Sequence, residues 1–160
     1  MSAAPDYLEP LLGWRACLVV EDAGALRLRS ATPAAQRCPV HAAPCVECKC
    51  GIYGASEPET VASYLDSFTR PEGSVVDRVL GRVCLWGRVL ECERGWRASR
   101  AYPARLYVPA RRVARARLPV REVALALAGD YGVPVELVPC RTAADLSGLV
   151  SRGERASTRA

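Results

Sequence analysis

A stretch of thirteen residues, from Cys38 to Cys50, holds four of the eight cysteines and the only histidine of the chain. Within it, the pairs Cys38/His41 and Cys45/Cys48 have the spacing at which a tight turn directs two side chains toward one tetrahedral ion. Cys50 adds a further thiol. Soft thiolates with at most one imidazole favour zinc. The stretch therefore predicts a metal site that constrains the fold around it.

Five side chains compete for the four positions of such a site. Only three residues separate His41 from Cys45, which is too short for two separate zinc knuckles, so we expect one compact site within a cysteine-rich loop of residues 31–54. Cys38, Cys45, Cys48 and Cys50 are the preferred ligands, and His41 replaces one of them if a thiol points away. An iron–sulfur cluster bound by the four cysteines is the alternative cofactor.

Disulfides or scattered thiols are the competing interpretations of the same cysteines. Residues 1–10 carry Asp6 and Glu9 and lack the basic-then-apolar pattern of a signal peptide. We therefore expect a cytoplasmic protein, in which disulfides are rare. No apolar run has the length of a membrane span, so no membrane association is predicted. A structural ion is favoured over a catalytic one, because thiols can close its coordination shell and only Glu47 lies next to them.

The hydrophobic pattern indicates a single α+β domain over residues 1–160, long enough to bury a core. Period-two alternation predicts strands at 14–20, 26–30, 79–92 and 96–102, with an edge strand at 133–138 interrupted by Pro134. Helical periodicity and capping residues predict helices at 57–68, beginning with a capping box at Ser56, at 119–130, and from Thr142 to about Val150.

Gly81 and Gly87 interrupt the long strand at 79–92, and Glu93, Arg94 and Gly95 make a tight turn into the next strand. Glycines inside a strand mark bends or close backbone approaches. These features favour a curled mixed or antiparallel sheet, or a small barrel, over a flat layer. Residues 151–160 are predicted to be a disordered tail.

Positive charge is concentrated in one segment. Residues 94–121 contain nine arginines and no acidic residue, whereas residues 1–93 and 122–160 sum to −3 and −1. Trp96, Tyr102 and Tyr107 are interleaved with these arginines, and exposed aromatic rings stack on bases. The segment predicts nucleic-acid binding through arginine contacts with phosphate. The candidate residues are Arg97, Arg100, Arg105, Arg111, Arg112, Arg115 and Arg117.

The favoured function is thus a zinc-binding module that binds nucleic acid, or acts in regulation, through the basic segment. The alternative is an adaptor that binds an acidic protein partner; no oligomeric state follows from the pattern. A purely structural role, with buried aromatics and solvated or ion-paired arginines, competes with both. A small enzyme that uses His41 beside an unliganded cysteine is the minority hypothesis, since nucleotide-binding and nucleophile-elbow motifs are absent from the sequence.

Three stretches resemble a group of uncharacterised small proteins from GC-rich bacteria. They are Cys48–Tyr53 (CKCGIY), Gly81–Val89 (GRVCLWGRV) and Glu93–Pro103 (ERGWRASRAYP). The resemblance covers about residues 13–109. It implies a common fold and carries no activity. The curled sheet with flanking helices is also similar, in pattern alone, to the PUA-like barrels that bind modified bases or RNA.

Overall fold

The computed structural model describes residues 11–31, 42–66, 75–110 and 118–157. In chain order its elements are β1 (Leu11–Asp22), β2 (Ala25–Ser30), β3 (Ile52–Ala55), a 3-10 turn (Pro58–Val61), α1 (Ala62–Asp66), β4 (Val75–Cys92), β5 (Gly95–Pro109), α2 (Val120–Tyr131), β6 (Val135–Val138) and α3 (Ala143–Ser157). Helices and a mixed six-stranded sheet confirm the predicted α+β class.

The sheet curls into a ring. Strand β1 pairs antiparallel with β2, β3 and β4, and β5 pairs antiparallel with β3 and β4. Because β1 and β5 share both neighbours, the four strands β1, β3, β5 and β4 close on one another. Strand β6 adds to β5 in parallel and begins just after Pro134, as expected for an edge strand. The predicted curled sheet is confirmed.

Residues with positive φ shape both hairpins, at the turn of the first and at a bulge in the second. Ala23 and Gly24 join β1 to β2 with φ values of 50° and 79°, the positive pair found in tight primed turns. In the β4–β5 ladder the pairing shifts between Trp86/Arg100 and Val89/Ala98, so that two residues oppose Ser99 alone. Gly87, the first of the two, has φ 79°. This is a glycine bulge, and it confirms the predicted bend.

The sheet has a core on each side. One side packs against the 3-10 turn, α1 and α3, and its buried members include Trp14, Leu80, Val61, Leu146 and Val150. The other side packs against α2, with Cys17, Val19, Leu106, Val123 and Leu127 among its buried members. Every residue of β1 from 13 to 20 is buried, which marks β1 as a central strand.

Capping explains two of the helix boundaries. Gly132 ends α2 in the left-handed conformation, and its N–H donates to the carbonyl of Ala128. At the start of α3, Thr142 and Asp145 form the predicted reciprocal cap, in which each backbone N–H donates to the other's side chain at 3.0–3.1 Å. A hydrogen bond from the Thr142 side chain to the Asp145 carboxylate, followed by the bond from the Thr142 backbone N–H, lowers the pKa of Asp145.

Two helix predictions need correction. The capping box at Ser56 does not form: the helix begins as a 3-10 turn at Pro58, and the Ser56 backbone N–H and hydroxyl both donate to the carbonyl of Arg94 in the β4–β5 turn. The predicted end of that helix, near residue 68, lies outside the described residues. Helix α3 extends to Ser157, so residues 151–157 are helical and do not belong to a disordered tail.

A contact with the sheet accounts for the extra length of α3. The Tyr107 hydroxyl donates to Oε1 of Glu154 at 2.6 Å, and the Tyr107 ring lies 5.8 Å from that of Trp14. Ser147 and Ser151 are also buried against the core. The helix is therefore held by the sheet well beyond Val150. Burial first, and then the bond to Glu154, raise the pKa of Tyr107.

Replacing Tyr107 with phenylalanine should lower the unfolding free energy at neutral pH by about 1.5–3 kcal/mol, the usual contribution of a hydrogen bond to a charged group. Since the raised pKa favours the protonated phenol in the folded state, this stabilisation is complete below about pH 10 and declines at higher pH. Urea denaturation at several pH values should therefore show a shallower decline above pH ~10 in Tyr107→Phe than in the parent. Equal slopes for Tyr107→Phe and the parent would contradict the prediction.

Candidate functional site

The described part of the cysteine-rich loop brings three cysteines close together just before β3. Cys48 Sγ lies 2.9 Å from Cys50 Sγ, and the backbone N–H of Cys45 donates to Cys50 Sγ at 3.2 Å. Cys50 is only 2% exposed. Gly51 has φ 102°, and a Cβ added there would lie 2.8 Å from Cβ of Pro44. A glycine is thus required where the loop folds back over Pro44.

Arginine side chains of the β4–β5 hairpin hold this loop in place. Nη1 of Arg97 lies within hydrogen-bond distance of the carbonyls of Cys45, Cys48 and Cys50, at 3.1 Å for the first and the last. Nη1 of Arg88 donates to the carbonyl of Ala42 at 3.4 Å. Charge-assisted bonds of this kind are about twice as strong as neutral ones. Arg97, predicted to contact nucleic acid, is therefore engaged within the protein.

The described thiols do not form a metal centre by themselves. Cys38 and His41 lie outside the described residues, and within the described ranges no group of three or more His, Cys, Asp or Glu side chains is arranged to hold an ion. Sulfurs bound to one zinc ion lie about 3.8 Å apart, given Zn–S bonds of about 2.3 Å. The 2.9 Å between Cys48 Sγ and Cys50 Sγ is shorter than this separation. The seven described cysteines are all thiols. Zinc, and the iron–sulfur alternative, therefore stay predictions that need a ligand from Cys38 or His41.

The described arginines of the basic segment have different environments. Arg94, Arg100 and Arg121 are exposed. Arg105 forms an ion pair with Glu136 at 3.7 Å, with both side chains about half exposed. Arg111, Arg112, Arg115 and Arg117 lie outside the described residues, and their predicted contacts with nucleic acid stay predictions.

The three aromatic residues of that segment also differ in their exposure. Tyr107 is 4% exposed and belongs to the core, so it is not available to stack on a base. Trp96 is half-buried and packs against the small cluster of Val83 and Leu85. Tyr102 is 46% exposed, although its hydroxyl donates to the carbonyl of Tyr131 at 2.9 Å. Only Tyr102 of the three presents a large exposed ring.

A second exposed aromatic residue lies beside it on the hairpin. Trp86 is 38% exposed and is paired with Arg100, and Cys84 is paired with Tyr102 two residues along the ladder. Directly opposite residues, and residues two apart on one strand, project on the same side of a sheet. Trp86, Arg100 and Tyr102 therefore share one surface, which we name the hairpin face.

The alternating pattern of 79–92 does not indicate that Trp86 is exposed, because the same face of the strand carries Leu80, Cys84 and Leu90. Gly87 is the residue that could have indicated the exposure of Trp86, because the bulge twists the strand next to Trp86 and carries the Trp86 side chain out of the packed region. No acidic residue occurs in 84–88 or 99–102, the two hairpin segments that carry this face. The hairpin face therefore combines two aromatic rings with positive charge.

Comparisons with known proteins add no assignment. No protein-family model, no curated protein and no solved structure matches the chain. The resemblance to small bacterial proteins stays a prediction. Across the described ranges, none of the helices has the length and apolar character needed to cross a membrane.

Proposed function

We propose that this chain is a binding module for single-stranded nucleic acid, with the hairpin face as its contact surface. The observation that carries the proposal is the exposed pair of Trp86 and Arg100 on adjacent strands, with Tyr102 two residues from Arg100. Alternating aromatic and cationic groups are the usual elements of sequence-tolerant binding to single strands. The proposal retains the predicted class of partner and moves the contact surface toward the β4–β5 hairpin.

The physical basis is a combination of stacking and phosphate contact. An aromatic side chain that stacks on a base contributes about 1–3 kcal/mol. Arg100 is exposed and lies directly opposite Trp86, so a strand whose base stacks on Trp86 has a guanidinium beside its backbone. Within duplex DNA or RNA the bases are stacked on one another, and this contribution is lost.

The cysteine loop has a supporting role in the proposal. It is attached to the same hairpin through Arg97 and Arg88. A zinc ion held by Cys45, Cys48 and Cys50, together with Cys38 or His41, would supply folding energy to the loop. We propose a structural ion that fixes this end of the hairpin. The protein-adaptor alternative uses the exposed arginines without the aromatic rings.

The test is fluorescence anisotropy with a labelled single-stranded oligothymidine at increasing salt. We expect Trp86→Ala to weaken binding by about tenfold, within the 1–3 kcal/mol range of one stacked base. Arg100→Ala should also weaken binding and flatten the slope of log affinity against log salt by about 0.7. Arg27→Ala and Leu125→Ala, which change exposed residues outside the hairpin face, should bind as the parent does.

Three outcomes would contradict the proposal. They are no retention of the intact protein on single strands even at low salt, parental affinity in both Trp86→Ala and Arg100→Ala, and equal affinity for single strands and the matching duplex. The adaptor function would replace this one if oligonucleotides did not bind and if the parent bound an acidic protein that Arg100→Ala did not bind.

A further inference from the structure

A cavity of about 220 Å³ is lined by residues of the five strands β1 to β5 and by Tyr131 at the C-terminal end of α2. Ile52, which follows the last cysteine of the loop, also lines it, and Tyr102 is the residue that the cavity shares with the hairpin face. Its polar wall includes Arg15, Ser30 and Tyr131, and its apolar wall includes Leu28 and Ala101. The cavity therefore combines a cationic group with apolar surface, the usual composition of a small-molecule site.

Arg15 is the distinctive group of this cavity. It stands in the middle of the central strand β1 and is only 7% exposed. Its Nη1 donates to the carbonyl of Tyr53 and its Nη2 donates to the hydroxyl of Ser30, each at 2.6 Å. A guanidinium has five N–H donors. Arg15 lines the cavity, and these two bonds use two of the five donors.

No described carboxylate balances this buried charge. Both partners of Arg15 are neutral oxygens, and the one described ionisable group that acts on its pKa is Cys17. Burial raises the pKa of the Cys17 thiol, so Cys17 stays neutral and supplies no anion. Burial lowers the pKa of Arg15, but a guanidinium stays protonated in proteins. A buried cation without a counter-charge is costly, and a bound anion would remove much of that cost.

We propose that this cavity binds a small organic anion through its carboxylate, with Arg15 as the cationic partner. The Tyr131 hydroxyl accepts a hydrogen bond from the backbone N–H of Leu28 at 2.7 Å, which leaves its own proton to donate. The rings of Tyr102 and Tyr131, 6.2 Å apart, provide an aromatic wall. A volume of about 220 Å³ is below the ~300–1,000 Å³ of drug-sized ligand sites, so the ligand is compact, with one charge and a small apolar body.

Isothermal titration calorimetry with benzoate tests the assignment, with benzamide and inorganic phosphate as parallel probes. Benzamide has the same shape without the charge, and phosphate has charge without an apolar body. We expect saturable binding of benzoate, at least tenfold weaker binding of both other probes, and at least a tenfold loss of benzoate affinity in Arg15→Met. Arg27→Gln changes an exposed arginine on the same strand as Ser30 and should leave binding unchanged.

Because Arg15→Met can disturb the core, a second variant keeps Arg15 and fills the cavity. Ala101→Leu adds apolar volume to the wall and should also reduce benzoate affinity by at least tenfold. The proposal is overturned if the folded parent does not bind benzoate, if benzamide or phosphate binds as tightly, or if folded Ala101→Leu binds as the parent does. Arg15 is buried and lies outside the hairpin face, so Arg15→Met should bind oligonucleotides as the parent does. Loss of benzoate binding with unchanged oligonucleotide binding separates this proposal from the proposed function.

Discussion

Replacing Arg97 with methionine is expected to release the cysteine loop from the β4–β5 hairpin and to lower the unfolding free energy by about 3 kcal/mol. One guanidinium nitrogen bonds the carbonyls of Cys45, Cys48 and Cys50, so its removal leaves three acceptors without their donor. An acceptor that loses its donor in a partly buried site costs about 1–3 kcal/mol. Urea denaturation measures the loss, and limited proteolysis should show cleavage within residues 42–50.

Arg100→Met is the matched control for this experiment. Arg100 lies on the same strand and is exposed, and among the described residues its side chain makes no hydrogen bond or ion pair. Its replacement should change the unfolding free energy by no more than about 0.5 kcal/mol, as is usual for surface substitutions. If Arg97→Met were as stable as Arg100→Met, and as resistant to protease in the loop, the anchoring role of Arg97 would be wrong.

The second large effect concerns the proposed metal ion. Protein purified without added metal is expected to contain about one zinc per chain by elemental analysis, and Cys48→Ser should lose most of it and several kcal/mol of stability. The reason is that a structural ion binds the folded loop and not the unfolded chain. A chelator should destabilise the parent and leave Cys48→Ser nearly unchanged.

Cys84→Ser is the control, since Cys84 is a half-buried thiol on β4 outside the loop. It should retain the full metal content. Visible absorption with bound iron would identify the iron–sulfur alternative. Folded protein that contains neither zinc nor iron would contradict the metal prediction, and the Arg97 prediction would be unaffected because its bonds require no metal.

Local signals predicted the elements whose geometry is set within a few residues. The turn between β1 and β2 follows from Gly24, which accepts the positive φ of a primed turn. The buried face of α2, including Val123 and Leu127, follows from helical periodicity. The Thr142/Asp145 cap likewise depends on two side chains three residues apart.

Short or partner-dependent elements were not predicted. Strand β3 has four residues, too few for an alternating pattern, and it is defined by its pairing with residues 95–98 of β5. The end of α3 depends on the bond between Glu154 and Tyr107, which are 47 residues apart. Neither property is present in the local sequence.

The candidate site, like the fold, was predicted from the sequence only in part. The cysteine spacing by itself identified a loop in which Cys45, Cys48 and Cys50 lie together, because residues so close in sequence cannot separate far. Charge composition identified the basic segment, but tertiary structure decided the use of each arginine: Arg97 anchors the loop, and Arg100 stays on the surface. The sequence pattern did not indicate a role for Arg15, since its partners Tyr53 and Ser30 are 38 and 15 residues away. Hydrogen bonds and burial between distant segments exist only after the sheet has closed, and so only the folded chain specifies them.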